Sequence, residues 1–532
     1  MGWRQHILIW PRWCALPKAE DSAPDLAQVA QSYDAMPYVS VGVKQSQPNR
    51  LAAIAQIFGL SPKPLERARV LEIGSAEGGN IVPLALRFQN AEFVGIDISP
   101  VQIERGKKHV RELALSNVQL VCCSVTDLPA NLGQFDFIIC HGIYSWVEMP
   151  VQNAIFAALK NHLAPHGIGF VSYNVLPGWR TKQVFRDAAL TLMPAGLSLP
   201  ERVDAASDIL NFLAQHSDAK TAYGMALQES SARLAQARKD YVAHEYLEET
   251  NTPCTLTEFL QISGQAGLSY LGDAEISEMI PIGSSPELQQ EILQRSGGDQ
   301  IAMEQLLDFI KGRQFRSTLL VHDHQAERIS RVLFAERLQG LHFYCRSNTS
   351  IRVESGQKVL ITDGMADWPI PDEIYAQIMG RLIAIYPASI SFNQLLEGLG
   401  DASQALLALV MYGVVDPSSD EMEVALVLGP KPKAFRLAAY SAATGAGQTT
   451  NLLHGVVQLD SLMAHFLMAM DGSKTVAELT TDFVQRCVSG QFQLAKDGRV
   501  VTGKNEIVKA ATLQAQETMA VLLRLAFIEK PE

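Results

Sequence analysis

The spacing of apolar residues changes period several times along the chain, and each change predicts an element. Leu51, Ile54, Ala55 and Phe58 recur at i, i+3, i+4 and i+7, which predicts a helix over Pro48 to Gly59. Arg69 to Ile73 reads as a buried strand, followed by a glycine-bearing turn from Gly74 to Gly79. Ile81 to Phe88 is helical and Phe93 to Asp97 is a second strand. Val101 to Leu113 is a helix opened by Ser99-Pro100, with proline at a favoured first-turn position. Strands follow at Val118 to Cys122, Phe135 to Cys140 and Ile168 to Tyr173, with a helix from Ala154 to Leu163 before the last. This alternation predicts βαβ units and a mainly parallel sheet, with ligands outside the carboxyl ends of its strands.

From about Lys182 to Glu249 the pattern is helical and strandless, clearest over Ala205 to His216 and Ala226 to Tyr246. The α/β rhythm then returns. Thr255-x-x-Glu258 has the form of a capping box ahead of a helix from Thr257 to Ala266. Gly267 to Gly272 reads as a strand, Glu287 to Gly312 as mostly helix and Phe315 to His322 as a strand. The count reaches seven strands, with a helical insertion before the last two. Past Gln325 the character changes. Helices are expected over Pro371 to Ile385, Ser391 to Leu399 and Ala402 to Tyr412, with extended residues around Glu423 to Leu428, which together suggest a winged-helix-like fold. Ala439 to Asn451 is the most linker-like stretch. Further helices are expected over Asp460 to Met470, Lys474 to Cys487 and Glu506 to Leu525, with a hairpin from Gln491 to Val501 around Asp497-Gly498.

Composition narrows the function. With 532 residues and 47% hydrophobic content, the chain can build several cores and is not low-complexity disorder. Its best apolar run, Leu406 to Val415, is cut by Gly413 and falls well short of the roughly 18 residues a membrane helix needs. A net charge of −12 argues against phosphate-backbone binding as the main task, and the third C-terminal helix (DASQALLALVMYG) lacks the Lys and Arg of a DNA-recognition helix. Seven cysteines without a CxxC pair fit a reduced, cytoplasmic protein. Three of the six tryptophans stand in the first 14 residues, whose apolar centre, Ile7 to Trp10, is too short for a secretory segment and reads as part of a tail.

The sharpest chemical signal is VLEIGSAEGG, residues 70–79. A strand ends in Glu72, and small residues follow at Gly74, Ala76 and Gly78, which lets a ligand approach the backbone and the next helix start close by. At the end of the second strand stands Asp97, a carboxylate placed to accept both ribose hydroxyls of an adenosine. No Walker lysine follows the glycines. The spacing Glu72-x-Gly74-x-x-x-Gly78, rather than G-x-G-x-x-G, favours S-adenosylmethionine (SAM) over a dinucleotide, since no pyrophosphate needs a seat.

The sequence here resembles the class I SAM-dependent methyltransferases, and more closely the bacterial ones carrying a methyltransferase regulatory domain. That group includes rickettsial-type lysine methyltransferases of outer-membrane proteins. The resemblance rests on residues 32–40 (SYDAMPYVS), 71–85 (LEIGSAEGGNIVPLA), 93–99 (FVGIDIS), 135–147 (FDFIICHGIYSWV), 169–180 (GFVSYNVLPGWR), 244–253 (HEYLEETNTP), 270–274 (YLGDA) and 315–322 (FRSTLLVH), and more loosely on 366–371 and 450–463. It implies a Rossmann-like α/β sheet of seven strands over residues 31–325, with a helical insertion at about 182–250. A connector (326–355), a winged-helix-like region (356–440) and an α-rich C-terminal region (441–532) would follow, after an N-terminal tail (1–30).

The resemblance also implies roles. Glu72, Gly74, Ser75, Ala76, Gly78 and Asn80 would line the methionine end of SAM, whose product is S-adenosylhomocysteine (SAH). Asp97 and Ile98 would hold the ribose and flank the adenine. Ser124 occupies a position where class I enzymes often place an Asp on the adenine amino group, with Val125 beside it, and Tyr33 and Tyr38 could close over the cofactor. His141 and Tyr144 after the fourth strand, as contacts to cofactor or acceptor, with Tyr173 and Asn174 at the end of the fifth and Trp146 and Trp179, are the candidates around the methyl acceptor, as walls for a cation and a base; His141 is also a candidate cofactor-binding residue. For each of these, the alternative is packing under the sheet's rim. The [N/D]PP[Y/F] tetrad of base and amide methyltransferases is absent, which counts against base methylation.

His244-Glu245-x-x-Glu248 is HExxE rather than HExxH and has no evident third ligand, so it reads as a polar face or acceptor-site rim; no metal is expected. The expected activity is methyl transfer to a protein side chain, with lysine favoured by resemblance alone and an envelope protein before export as a candidate partner. A small-molecule or natural-product methyltransferase and a non-catalytic SAM-binding scaffold are the alternatives. Neither nucleic-acid binding nor integral membrane association is expected, and the oligomeric state is left open.

Overall fold

The computed structural model describes residues 40–346, 349–354, 357–361, 368–496 and 499–531. The expected tail, with Tyr33 and Tyr38, lies outside the described residues. Strands β1 (Arg69–Ile73), β2 (Glu92–Asp97), β3 (Val118–Cys122), β4 (Phe135–Cys140), β5 (Leu163–Asn174), β6 (Leu268–Asp273) and β7 (Phe315–His322) form one sheet in the order β3-β2-β1-β4-β5-β7-β6. The first five are parallel, and β7 runs antiparallel to both β5 and β6.

Successive side chains of a strand leave opposite faces, so each central strand feeds two cores. Along β1, Val70 enters a core with α1 (Pro48–Ile57), α2 (Ile81–Arg87) and α3 (Pro100–Glu112), while Leu71 and Ile73 enter a second core with α4 (Met149–His162). The strandless stretch folds as α5 (Trp179–Leu192), α6 (Leu199–His216), α7 (Ala222–Leu234) and α8 (Lys239–Tyr246) around a core of its own, including Phe185, Leu210, Leu227 and Tyr246. The capping box opens α9 (Leu256–Gln265): Glu258 N donates to Thr255 Oγ1 at 3.2 Å and Thr255 N to Glu258 Oε2 at 2.8 Å. α10 (Pro286–Ser296) and α11 (Gln300–Lys311) then lead into β7.

Three expectations past residue 325 need correction. β8 (His342–Cys345) lies in the stretch read as a connector, yet it is the central strand of a small sheet. β9 (Ser350–Glu354), β10 (Gln357–Ile361), β11 (Trp368–Pro369) and α12 (Glu373–Ala384) follow it; its flanking partners are β12 (Ile390–Ser391) and, after α13 (Phe392–Leu396) and α14 (Ser403–Met411), β13 (Val415–Ser418). The extended residues expected at 423–428 make only one isolated bridge, Val424 to Glu529. The linker-like stretch holds most of α15 (Arg436–Ala443) and all of β14 (Gln448–Thr450): Ala442 of the stretch, with Ala438 just before it, is buried in the C-terminal core. β15 (Val456–Gln458), α16 (Ser461–Ala469), α17 (Val476–Val488), the paired β16 (Ala495–Lys496) and β17 (Arg499–Val500), and α18 (Lys504–Arg524) complete the chain.

These units share their cores. Leu406 and Val410 of α14 pack in the same cluster as Leu51 and Ile54 of α1, and Val82 and Leu86 of α2 join the cluster of the last hundred residues. Asp416 of β13 accepts from Lys44 Nζ at 2.7 Å and from Arg50 Nη1, and these two cations hold its carboxyl well below the usual carboxylate range despite burial. No described helix is long and apolar enough to cross a membrane.

Candidate active site

Strand order reverses between β1 and β4, and a crevice opens there at the carboxyl ends of the strands. Ile73 stands in register with Ile96 on one side and Cys140 on the other, so Glu72, Asp97 and His141 reach one edge. A cavity of ≈ 880 Å³ occupies it. That is in the upper part of the roughly 300–1,000 Å³ range of ligand pockets, room for a cofactor and a side chain together.

The glycine turn is built for close approach. Gly74 has φ +76°, and a Cβ there would fall 2.4 Å from Ile143 Cδ1. Gly74 N and Ser75 N both donate to Ile96 O at 2.9 Å. Ala76 is held at φ 49° by its N–H, which donates to Asp97 Oδ2 at 2.8 Å, while Ser99 N donates to Asp97 Oδ1 at 2.9 Å. Asp97 thus organises both the turn and the start of α3.

Glu72 is 4% exposed. Its Oε1 accepts from Asn80 Nδ2 at 2.7 Å, and its Oε2 is buried with no hydrogen-bond partner among the described residues. Burial pushes the carboxyl up to about 7, opposed by the Asn80 bond and reinforced by the nearby Asp97. An orphaned buried carboxylate oxygen on a cavity wall suits an ammonium donor. With the glycine cradle and Asp97, these residues fit the amino acid and ribose of SAM.

His141 closes the same edge. Its Nδ1 is 3.0 Å from Ser172 Oγ, which also accepts the Gly142 N–H at 2.9 Å, and its ring sits between Phe170 and Phe315. Burial pushes it down to about 4, so the imidazole is neutral at physiological pH. Beyond His141 the cavity runs towards Asn174, Trp146 and Trp179, whose indoles meet edge to face at 5.9 Å. Lys182 Nζ lies 4.4 Å from the Trp179 ring centroid and pairs with Glu245. Glu148, Glu245, Glu248 and Glu249 line this end against two cations, Lys182 and Arg202.

Of the predicted residues, Glu72, Gly74, Ser75, Ala76, Asn80, Asp97, Ile98, Ser124, Val125, His141, Trp146, Asn174 and Trp179 line the cavity. Three do not. Gly78 sits behind the turn, where its φ of +85° and its 2.8 Å bond to Ser75 O set the approach to α2. Tyr144 is 2% exposed and packs edge to face on Phe156 and Phe259. Tyr173 stacks on Phe259 at 4.0 Å with its hydroxyl on Thr318 Oγ1. Strand alternation is the reason: Ser172 and Asn174 leave β5 on the cavity side and Tyr173 on the other. The Ser124 oxygen is engaged locally, accepting from Thr126 N at 3.2 Å and Thr126 Oγ1 at 2.8 Å.

Other lining residues are not among the candidates singled out from the sequence. Ser40, Val41 and Val43 form a strap over the turn: Gly79 N donates to Ser40 Oγ at 2.8 Å, and a Cβ on Gly79 would strike the Ser40 backbone. Lys182, Arg202 and Tyr241 arrive from the insertion. HExxE was legible as a rim motif. His244 Nδ1 is 2.8 Å from Glu248 Oε1, and both line the cavity.

Comparison with known proteins adds the following. A family model described as a methyltransferase domain matches residues 70–167, one described as a predicted methyltransferase regulatory domain matches 238–322, and one described as the PKMT C-terminal winged helix domain matches 430–527. The last match falls on α15 to α18, C-terminal to the 356–440 region where the pattern suggested such a fold. The uncharacterized protein RP789 of Rickettsia prowazekii is 28% identical over 513 residues, 90% of each chain. RP028 of the same organism is 35% identical over 231 residues, 43% of this chain and 92% of that protein. The structure of PKMT2 from Rickettsia typhi in complex with AdoHcy is 25% identical, with a TM-score of 0.81 over 92% of this chain and 100% of that one.

Proposed function

The chain belongs to the class I SAM-dependent methyltransferases that carry a methyltransferase regulatory domain, and on that premise we propose that it methylates a lysine side chain of a protein. The observation that carries this reading is the acceptor end of the cavity, walled by Trp146 and Trp179 and rimmed by four glutamates. Aromatic faces and carboxylates attract an ammonium. Lys182 supports this from within the chain, since its own ammonium rests against Trp179.

SAM supplies a methyl group on a cationic sulfur. The protein's part is to orient the acceptor, desolvate it and exclude water. His141, neutral between Phe170 and Phe315, adds no positive charge to repel an approaching amine, and with Nδ1 on Ser172 its Nε2 can exchange a hydrogen bond with it. The six described cysteines are free thiols, in keeping with a reducing cytoplasmic location.

The test uses radiolabelled SAM with cell-envelope protein and, separately, a metabolite extract. Label recovered as methyl-lysine after protein hydrolysis is the expected result; label confined to small molecules would establish the alternative substrate class. Trp146→Ala should lower kcat/KM for the protein acceptor by roughly tenfold, through loss of an aromatic wall worth about 0.5–2 kcal/mol, and leave SAH affinity unchanged.

Glu72 makes cofactor binding pH-dependent. An ionised carboxylate is the better partner for the amino group, and its carboxyl stands at about 7 in the free protein. SAH affinity is therefore expected to be full above pH 8 and to fall as pH drops through 7. Calorimetric titrations between pH 5.5 and 8.5 check this, with Glu72→Gln expected to flatten the profile.

A further inference from the structure

The C-terminal domain touches the cavity-lining Asn80 through the side chain of His454. The loop between β14 and β15 holds His454 at φ 62°, uncommon for a residue other than glycine, and buries it fully. His454 Nε2 lies 2.7 Å from Asn80 Oδ1. Asn80 Oδ1 also accepts the Val43 N–H at 2.8 Å, so it is the carbonyl end of the amide and His454 Nε2 carries a proton. The other end of the amide donates to Glu72 Oε1 at 2.7 Å and to Ser46 Oγ at 3.1 Å. Turning the amide over would set its NH2 against the Val43 N–H and its oxygen against the Glu72 carboxylate. Asn80 is thereby locked with its donor on Glu72, whose second oxygen remains unpartnered among the described residues at the cavity.

We propose that His454 is a positioning residue for the cofactor: by holding Asn80 it aims the Glu72 carboxylate at the amino group of SAM, so that the C-terminal domain contributes to cofactor affinity. The end of β14 and the same loop also hold the strap and the start of α1, with Gly42 N donating to Thr450 Oγ1 at 2.9 Å and Gln47 Nε2 to Leu453 O at 3.4 Å. Two titratable groups, Asp97 and Cys140, face Glu72, and Arg87 faces His454. Burial and Arg87 push His454 down to about 3, so it remains a neutral donor across the pH range in which Glu72 titrates.

The test compares His454→Met with His454→Gln in the full chain, by SAH calorimetry across pH. The two side chains are similar in size and uncharged, and only glutamine can donate to Asn80. His454→Met is expected to weaken SAH binding roughly tenfold, the effect of one lost hydrogen bond to a charge-bearing pair, and to move the pH midpoint of binding upward, because Glu72 loses the bond that favours its ionised form. His454→Gln should stay close to the unsubstituted protein in both measures. Equal affinities and midpoints for the two folded variants would overturn the proposal. Should either variant fail to fold, histidine-labelled unsubstituted protein decides: the exchange-protected Nε2–H resonance of His454 should shift on saturation with SAH, and a resonance that does not move overturns the proposal. Both readouts concern the cofactor alone, so they stand or fall separately from the lysine reading.

Discussion

Asp97→Ala should weaken SAH binding by at least about a hundredfold. The carboxylate holds Ala76 N at 2.8 Å and Ser99 N at 2.9 Å, and charge-assisted bonds of this kind are each worth roughly 1.5–3 kcal/mol. Losing both releases the left-handed Ala76 from the geometry that shapes the turn. It also removes the carboxylate proposed to accept the ribose hydroxyls. Asp97→Asn should fall between, since one oxygen remains to accept while the amide NH2 opposes a backbone N–H. Calorimetric titration with SAH measures the loss, and circular dichroism confirms that the variants are folded. An Asp97→Ala protein that binds SAH as tightly as the parent would remove Asp97 from the site.

The second large effect lies away from the cavity. Arg316 of β7 is fully buried, with Asp308 2.9 Å from both Nε and Nη2, Glu304 at 2.9 Å and Asp273 at 3.3 Å. Tyr270 donates to the same Glu304 at 2.6 Å. Burial lifts Glu304 and Asp308 above the ordinary carboxylate range even with the guanidinium opposing it. Arg316→Met would strand these acids, leaving Arg313, 2.9 Å from Asp273, and the charge of Arg331 near Glu304 as weaker compensation. Breaking a buried pair in this way costs about 3–5 kcal/mol, read as a lowered urea midpoint. The sign of the pH dependence follows. Without Arg316 the carboxyls sit still higher in the folded state than in the unfolded one, so the folded variant holds more protons. Its stability falls as pH rises, and the deficit against the parent should be larger at pH 8 than at pH 5. A variant as stable as the parent at pH 8 would show that the acids find other compensation.

The elements and the cofactor half of the site were legible in the sequence because both are local. A buried strand carrying Glu72, a turn of small residues and a second strand ending in Asp97 lie within the 29 residues from Arg69 to Asp97, and backbone sterics force them into one crevice. Resemblance then supplied the cofactor. The acceptor side was only partly legible. Tyr144 and Tyr173 have the right chemistry near the right strand ends, but the alternation of β5 and the packing around Phe259 turn them into the core. Which of two neighbouring residues faces a cavity depends on strand register and on what covers the other face, and neither is written locally.

Small apolar segments misled for a related reason. Ala439 to Asn451 has the composition of a linker, yet it forms the end of α15, anchored by the buried Ala438 and Ala442. What the sequence by itself determined was the α/β order, the helical insertion and the glycine-and-acid crevice, since each follows from short-range periodicity and backbone chemistry. Only the tertiary structure decided that helices of the insertion carry Lys182 and Tyr241 to the acceptor end, and that His454, 374 positions from Asn80, touches it. Those contacts depend on how separate hydrophobic faces pack together. Such packing is a property of the whole buried surface, and no single stretch of the chain specifies it.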